Sequence, residues 1–302
     1  MSNTEYRKAK LSDLIDWKHI VIFGAIMVIA IVQALISGNI EFASDPVVLS
    51  EIPAYSGEPY VIVNDNMPVF GEITSEIGAF EEYGDLDELG RATYALSCVR
   101  PLLMPRGERE NISEVKPTGW QTTKYDFIDG GNLYNRCHLI AYQLTGENAN
   151  EKNLITGTRY MNTEGMISFE EKIAAYVKET DNGVLYRATP IYEGNELIAR
   201  GVQLEAWSLE DNGAGICFNV FCYNVQPGIE IDYATGESHE IDFSCEHEAQ
   251  LLVLNTNTGK FHDADCDGID DIKEENRQEF TCCPEELIAK GYEACGSCKP
   301  AA

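Results

Sequence analysis

Four side chains stand in an order that suits chemistry on a phosphodiester: Arg136 and His138 within Leu133-Tyr-Asn-Arg-Cys-His-Leu-Ile140, then Asn162 and Glu170 downstream. An imidazole that is largely neutral at physiological pH can take a proton from an attacking water. A guanidinium pairs with two phosphoryl oxygens at once and opposes the charge that builds on them. An amide oxygen and a carboxylate suit a hard divalent cation such as Mg²⁺ (or Mn²⁺), which takes oxygen ligands while keeping several waters.

A strand followed by a loop and a helix would bring these groups together. Side chains two apart in a strand share a face, so Arg136 and His138 point the same way and Cys137 points opposite. A loop rich in Gly, Asn and charge (145–152) leads to Asn153-Leu-Ile-Thr-Gly, and Asn162 opens an amphipathic helix with Met166, Ile173 and Val177 on its apolar side. On an α-helix, positions 162 and 170 differ by roughly 80° in azimuth and ~12 Å along the axis. Asn162 is therefore expected to be the direct metal ligand, with Glu170 acting through a metal-bound water. Taken alone, Asn162 is also an ordinary helix N-cap, and only the ordered set argues for catalysis.

The set resembles the ββα-metal, DNA/RNA non-specific endonucleases, and is most similar to surface nucleases of Gram-positive bacteria of the DNA-entry type. The residues that carry the likeness are Asn135-Arg136-Cys137-His138, Asn153-Leu-Ile-Thr, Asn162 and Glu170, with Leu86-Asp-Glu-Leu-Gly-Arg91 upstream. The resemblance implies His138 as general base, Asn162 as Mg²⁺ ligand, Glu170 in the metal's water shell and Arg136 on the phosphate. Asn135 and Cys137 depart from the family's Asp-Arg-Gly-His motif, which has Asp and Gly at those places.

The expected fold class is α+β: a ββα-metal nuclease core on an antiparallel sheet, preceded by one transmembrane helix and followed by a small Cys/His module. The reading along the chain is a cytoplasmic N-terminus (1–19), a transmembrane signal anchor (20–36), an extracellular tether (37–84), the nuclease domain (85–232), an acidic linker (233–250) and the module (251–302). The anchor rests on an apolar run with Arg7, Lys8, Lys10 and Lys18 before it, while 37–90 holds no Lys or Arg. A cleaved signal peptide is the rival, which would make the protein secreted.

A net charge of −28 argues against binding a polyanion. The charge is uneven, however: residues 91–180 carry 11 basic and 11 acidic residues, and the excess acid lies in 37–90 and 181–302. Arg91, Lys116, Lys124, Arg136, Lys152 and Arg159 can thus supply a local basic groove. Arg91, Asn153 and Arg159 are the expected substrate contacts, with a surface salt bridge as the alternative for Arg91.

Around the site, Tyr60–Val63 and Met67–Phe70 flank Asn64-Asp-Asn66 as a hairpin, and 91–103 reads as a strand. Trp120 reads as packing. The stretches beginning at Gly183, Gly201 and Gly215 alternate apolar and polar as three antiparallel strands. In the tail, helices are expected over 269–280 and 285–290. His262-x₃-Cys266 and Cys295-x₂-Cys298 have the spacing of a closed tetrahedral zinc site, and disulfides are the competing staple. Asp263, Asp265, Asp267 and Asp270 are a lesser Ca²⁺ candidate without a complete EF-hand loop.

These readings converge on a metal-dependent endonuclease that cuts DNA and RNA through phosphate rather than base contacts, outside the cell, with no protein partner. The alternative is a cell-surface nucleic-acid-binding protein of nuclease fold that is weak or inactive as an enzyme.

Overall fold

The alternation that begins at Gly183 becomes the centre of an antiparallel sheet in the computed structural model, which describes residues 46–300 except 72, 74, 242–244 and 246. In chain order the elements are β1 (Tyr60–Ile62), β2 (Phe80–Tyr83), β3 (Ala95–Val99), β4 (Tyr134–His138), α1 (Tyr142–Thr145), β5 (Leu154–Thr158), α2 (Ile167–Thr180), β6 (Val184–Ile191), β7 (Gly201–Ser208) and β8 (Cys217–Tyr223). The expected membrane span and the segment before it lie outside the described residues. Among those described, no helix is long and apolar enough to cross a membrane.

Six strands form the main sheet in the order β1-β8-β7-β6-β3-β2, and each face is covered for its own reason. One face carries Tyr186, Ala188, Leu204, Ala206, Phe218 and Val220, which pack with Phe169, Ile173, Ala174 and Val177 of α2 in the principal core. The other face carries Arg187, Glu205 and Asn219 side by side across β6, β7 and β8. Arg187 donates to the Glu205 carboxylate through Nε at 2.8 Å and Nη2 at 2.5 Å, and the pair is almost wholly buried. The backbone N–H of Val69 donates to Glu205 Oε1, and Asn219 Nδ2 donates to the carbonyl of Met67. A buried ion pair persists where its remaining hydrogen-bonding capacity is met, and here the chain around residues 67–69 meets it.

That contact corrects the expected tether. Residues 46–70 lie along the sheet: Val47, Leu49, Ile52 and Tyr55 pack on Ile191, Phe221 and Tyr223. The expected hairpin does not close on itself either. β1 pairs with β8, while Asn64, Asp65 and Asn66 all take left-handed backbone conformations in the turn that follows. The strand expected over 91–103 shortens to the fully buried β3.

β4 and β5 form a separate antiparallel pair. They present Cys137, Leu139 and Ile155 to the principal core, together with Met161 and Met166 ahead of α2. Gly157 makes this pairing possible, since a Cβ there would meet Cys137 Cβ at 2.7 Å.

Beyond the sheet come β9 (Ile229–Ile231), β10 (Ser238–Glu240), β11 (Gln250–Asn255), β12 (Lys260–Asp263), β13 (Arg277–Cys282), α3 (Pro284–Ala289) and β14 (Glu293–Ala294). β9 and β10 pair as a hairpin, so part of the expected acidic linker is ordered structure. The helix expected over 269–280 is absent: two short 3₁₀ turns lead into β13, which pairs along its length with β11. Phe280 and Cys282, two apart, both reach the cluster formed by Leu252, Leu254, Phe261 and Leu287, which is a strand period rather than a helical one. The helix expected over 285–290 is observed as α3.

Candidate nuclease site

A cleft of about 770 Å³ opens where β4 meets the start of α2, lined by Arg136, His138, Arg159, Asn162 and Glu170, with Asn135, Arg109, Lys116 and Trp120. Strand alternation places Arg136 and His138 on the cleft side and Cys137 in the core behind them, as expected. Arg136 lies over Trp120, its Cζ 4.0 Å from the ring centroid. It donates to the carbonyls of Val115 and Ser113. The expected packing role of Trp120 is therefore to hold this guanidinium.

His138 is buried among neighbours that define its protonation. Nε2 faces the carbonyl of Asn148 at 2.8 Å, so this nitrogen carries the proton in the neutral ring and donates it there. Nδ1 is left as the acceptor, and Arg109 Nη2 donates to it at 3.2 Å. Burial, with Arg109 adding to it against the Asn148 hydrogen bond, lowers the imidazole pKa to about 4. The ring is thus neutral at physiological pH, with its Nδ1 lone pair toward Arg109, which also lines the cleft.

Asn162 lies in a π-helical turn, Met161–Met166, that precedes α2. Such a turn closes i→i+5 hydrogen bonds and holds one extra residue. The separation between 162 and 170 then has the azimuth of about seven α-helical residues, roughly 20° instead of the roughly 80° expected of a regular helix. Both side chains consequently line the same cleft. Glu170 is 7% exposed and its Oε1 has no hydrogen-bond partner. Burial pushes its carboxyl up to about 8, against the opposing pull of the Ala141 backbone and Arg109. A buried carboxylate oxygen without a partner, on the same face as an amide oxygen, is the donor set a hard divalent cation requires.

Two expected substrate contacts are corrected. Arg91 lies outside the cleft lining, bound to Asp87 at 2.6 Å and to the carbonyls of Gly194 and Glu196, with Tyr192 beneath it. Asn153 is fully buried, accepting from Ile140 N and donating to Ile140 O, so it clamps the end of β4 to the loop. Arg159 does line the cleft, paired with the exposed carboxylate of Asp129. Arg109 was not among the expected site residues. It sits in the Gly/Pro-broken loop between β3 and β4, where no periodicity assigns a side chain to a face.

The sequence pattern of the DNA/RNA non-specific endonucleases matches residues 73–209. Residues 73–209 thus resemble that family's nuclease domain. The chain is also similar to a deoxyribonuclease of Streptococcus dysgalactiae subsp. equisimilis, 33% identical over 150 residues, which is 43% of this chain and 45% of that protein. The chain thus spans less than half the length of that relative. Among solved structures, NucA from Streptococcus agalactiae with magnesium ion bound has 25% identity and a TM-score of 0.56, covering 64% of this chain and 92% of that one. Its metal-free form superposes equally, with a TM-score of 0.55.

A second group of chemical residues lies in the tail. The ligand atoms of His262, Cys266, Cys295 and Cys298 all lie within 4.8 Å of one another. The N–H groups of Cys298 and Ser297 turn toward Cys295 and draw its pKa down to about 7, which favours thiolate. Cys245 and Cys283 form a disulfide. The disulfide and the converging ligand group thus use separate residues. The four aspartates proposed for Ca²⁺ form no converging group among the described residues. Cys217 and Cys222, five apart on β8 and so on opposite faces, are unbridged.

Proposed function

We propose that the protein is a metal-dependent endonuclease that hydrolyses DNA and RNA phosphodiesters outside the cell. The observation that carries this reading is the neutral His138, with Nε2 anchored to Asn148 and Nδ1 facing the cleft that Asn162 and Glu170 share. His138 Nδ1 takes the proton of a water that attacks phosphorus in line. Arg136, Arg159 and Lys116 surround the cleft with positive charge, and Arg109 has its guanidinium where an incoming phosphate would meet it. A phosphate that draws Arg109 away frees the His138 lone pair and offsets the charge that lowers its pKa.

Asn162 Oδ1 and Glu170, the latter through water, would hold Mg²⁺ or Mn²⁺. Bound there, the cation supplies Lewis-acid stabilisation of the departing 3′ oxygen. Contacts of this kind read phosphate rather than base edges, so cleavage should be without sequence preference and should extend to RNA. The magnesium-bound NucA relative supports the metal assignment.

The tail group fits a structural zinc, with three Cys and one His closing a tetrahedron. The Cys245–Cys283 disulfide supports an oxidising location. The apolar run at 20–36, preceded by basic residues, supports attachment to a membrane with the nuclease domain outside.

The deciding experiment treats plasmid DNA and a single-stranded RNA with the full chain, with Mg²⁺ or EDTA, beside His138→Ala. Cleavage that needs metal and vanishes in the variant is expected. Intact substrate in every lane, from folded protein that still binds DNA, would instead make this a nucleic-acid-binding protein.

A further inference from the structure

Cys137 stands on β4 between the two cleft residues Arg136 and His138, but its side chain is 1% exposed and faces the core. Its Sγ lies 3.1 Å from Asn162 Oδ1, its nearest acceptor, and 3.5 Å from Met166 Sδ. Among the described residues this is the one hydrogen bond the Asn162 side chain makes. Room for the thiol exists because the neighbouring strand has Gly157, where an added Cβ would stand 3.3 Å from Sγ.

We infer that Cys137 is a positioning residue for Asn162: its S–H donates to one lone pair of the amide oxygen and directs the other into the cleft. The inference rests on the proposed role of Asn162 as metal ligand. An asparagine held by one hydrogen bond inside a π-helical turn has few other restraints on its terminal torsion, which is broad for an amide. A ligand whose rotamer is set before the ion arrives loses less freedom on binding, and partners behind metal ligands commonly control affinity. A thiol offers one S–H donor, and Asn162 Oδ1 is the acceptor within its reach. The Cys at this motif position, with Gly157 opposite, is then a matched pair rather than a defect.

The test uses the full-length protein and Mn²⁺ as probe, with free Mn²⁺ measured by electron paramagnetic resonance. Cys137→Ala should weaken Mn²⁺ binding about tenfold, while kcat at saturating metal stays near that of the unchanged protein. Cys137→Ser, which restores a donor, should recover most of the affinity. In the unchanged protein, the S–H stretching band that Cys137→Ser removes should shift when Mg²⁺ is added, a readout that needs no variant to remain folded beyond the assignment. Mn²⁺ affinity unaltered by Cys137→Ala, or an S–H band that ignores Mg²⁺, overturns the inference. Asn162→Ala separates the two levels of the argument: if it too leaves Mn²⁺ binding unchanged, the ligand assignment itself fails.

Discussion

Arg109 donates into Nδ1 of His138 at 3.2 Å, on the side of the ring opposite the Asn148 carbonyl. The guanidinium therefore covers the lone pair that the proposed reaction needs, and its charge contributes to the low pKa of that ring. In the proposed reaction, substrate and base would compete for one cation, which would tie exposure of the base to arrival of a phosphate.

Arg109→Ala is expected to lower kcat/KM about 100-fold through loss of a charge-stabilising donor. It should also move the acid limb of the pH–rate profile. The His138 pKa is held near 4, so the neutral base persists down to about that pH. Removing Arg109 raises the pKa toward its ordinary value, only in part because burial is the larger cause. Rates on a short fluorescent duplex between pH 4 and 8 check this, and a limb that does not move upward would refute the coupling.

Glu170 gives a pH dependence of opposite sense. Its folded pKa, about 8, lies above the ordinary carboxylate value. Its stabilising contribution is complete below the ordinary value and is lost as pH rises through about 8. Mg²⁺ favours the ionised form and offsets this loss. The rise in Tm on adding Mg²⁺ should thus grow between pH 6 and 9, and Glu170→Gln should abolish that growth. Thermal melts at three pH values decide it.

Glu205→Ala should destabilise the domain by about 3–5 kcal/mol, because it removes the carboxylate that balances the charge of the buried Arg187. Replacing both partners by apolar residues of similar volume should restore much of the loss. Urea unfolding of the single and double variants distinguishes an ion pair whose separate removal is costly from one with no net effect.

The tail should behave as two independent staples. Elemental analysis is expected to find one zinc per chain, lost in Cys298→Ser and retained in Cys245→Ser. Reduction of the Cys245–Cys283 bridge, which spans 38 residues, should cost roughly 4 kcal/mol on a chain-entropy account. Zinc lost from Cys245→Ser protein would show that the assignments are mixed.

The strand that carries Arg136 and His138, the three strands after Gly183 and the tail cluster were legible in the sequence because each is a local pattern: period-two alternation or short ligand spacing. Arg91 and Asn153 show where local pattern misleads. Both are polar residues near the motif, yet Arg91 is taken by Asp87 and Asn153 by the Ile140 backbone. Residues 46–70 read as a tether because Pro and Gly interrupt them, and nothing local reveals that Glu205 and Asn219, distant in sequence, need partners there.

By itself, the sequence determined which groups have chemistry suited to a phosphodiester and that Arg136 and His138 share a face, since strand geometry follows from the backbone alone. Tertiary structure decided what those groups become. Packing of β4 against the β3–β4 loop put Arg109 on the base, burial set the protonation of His138 and Glu170, and the π-helical turn brought Asn162 onto the same face as Glu170. The first two depend on contacts between residues far apart in the chain, where desolvation and proximity act and no local pattern records them; the π-helical turn is local but breaks the regular helical period from which the sequence is read.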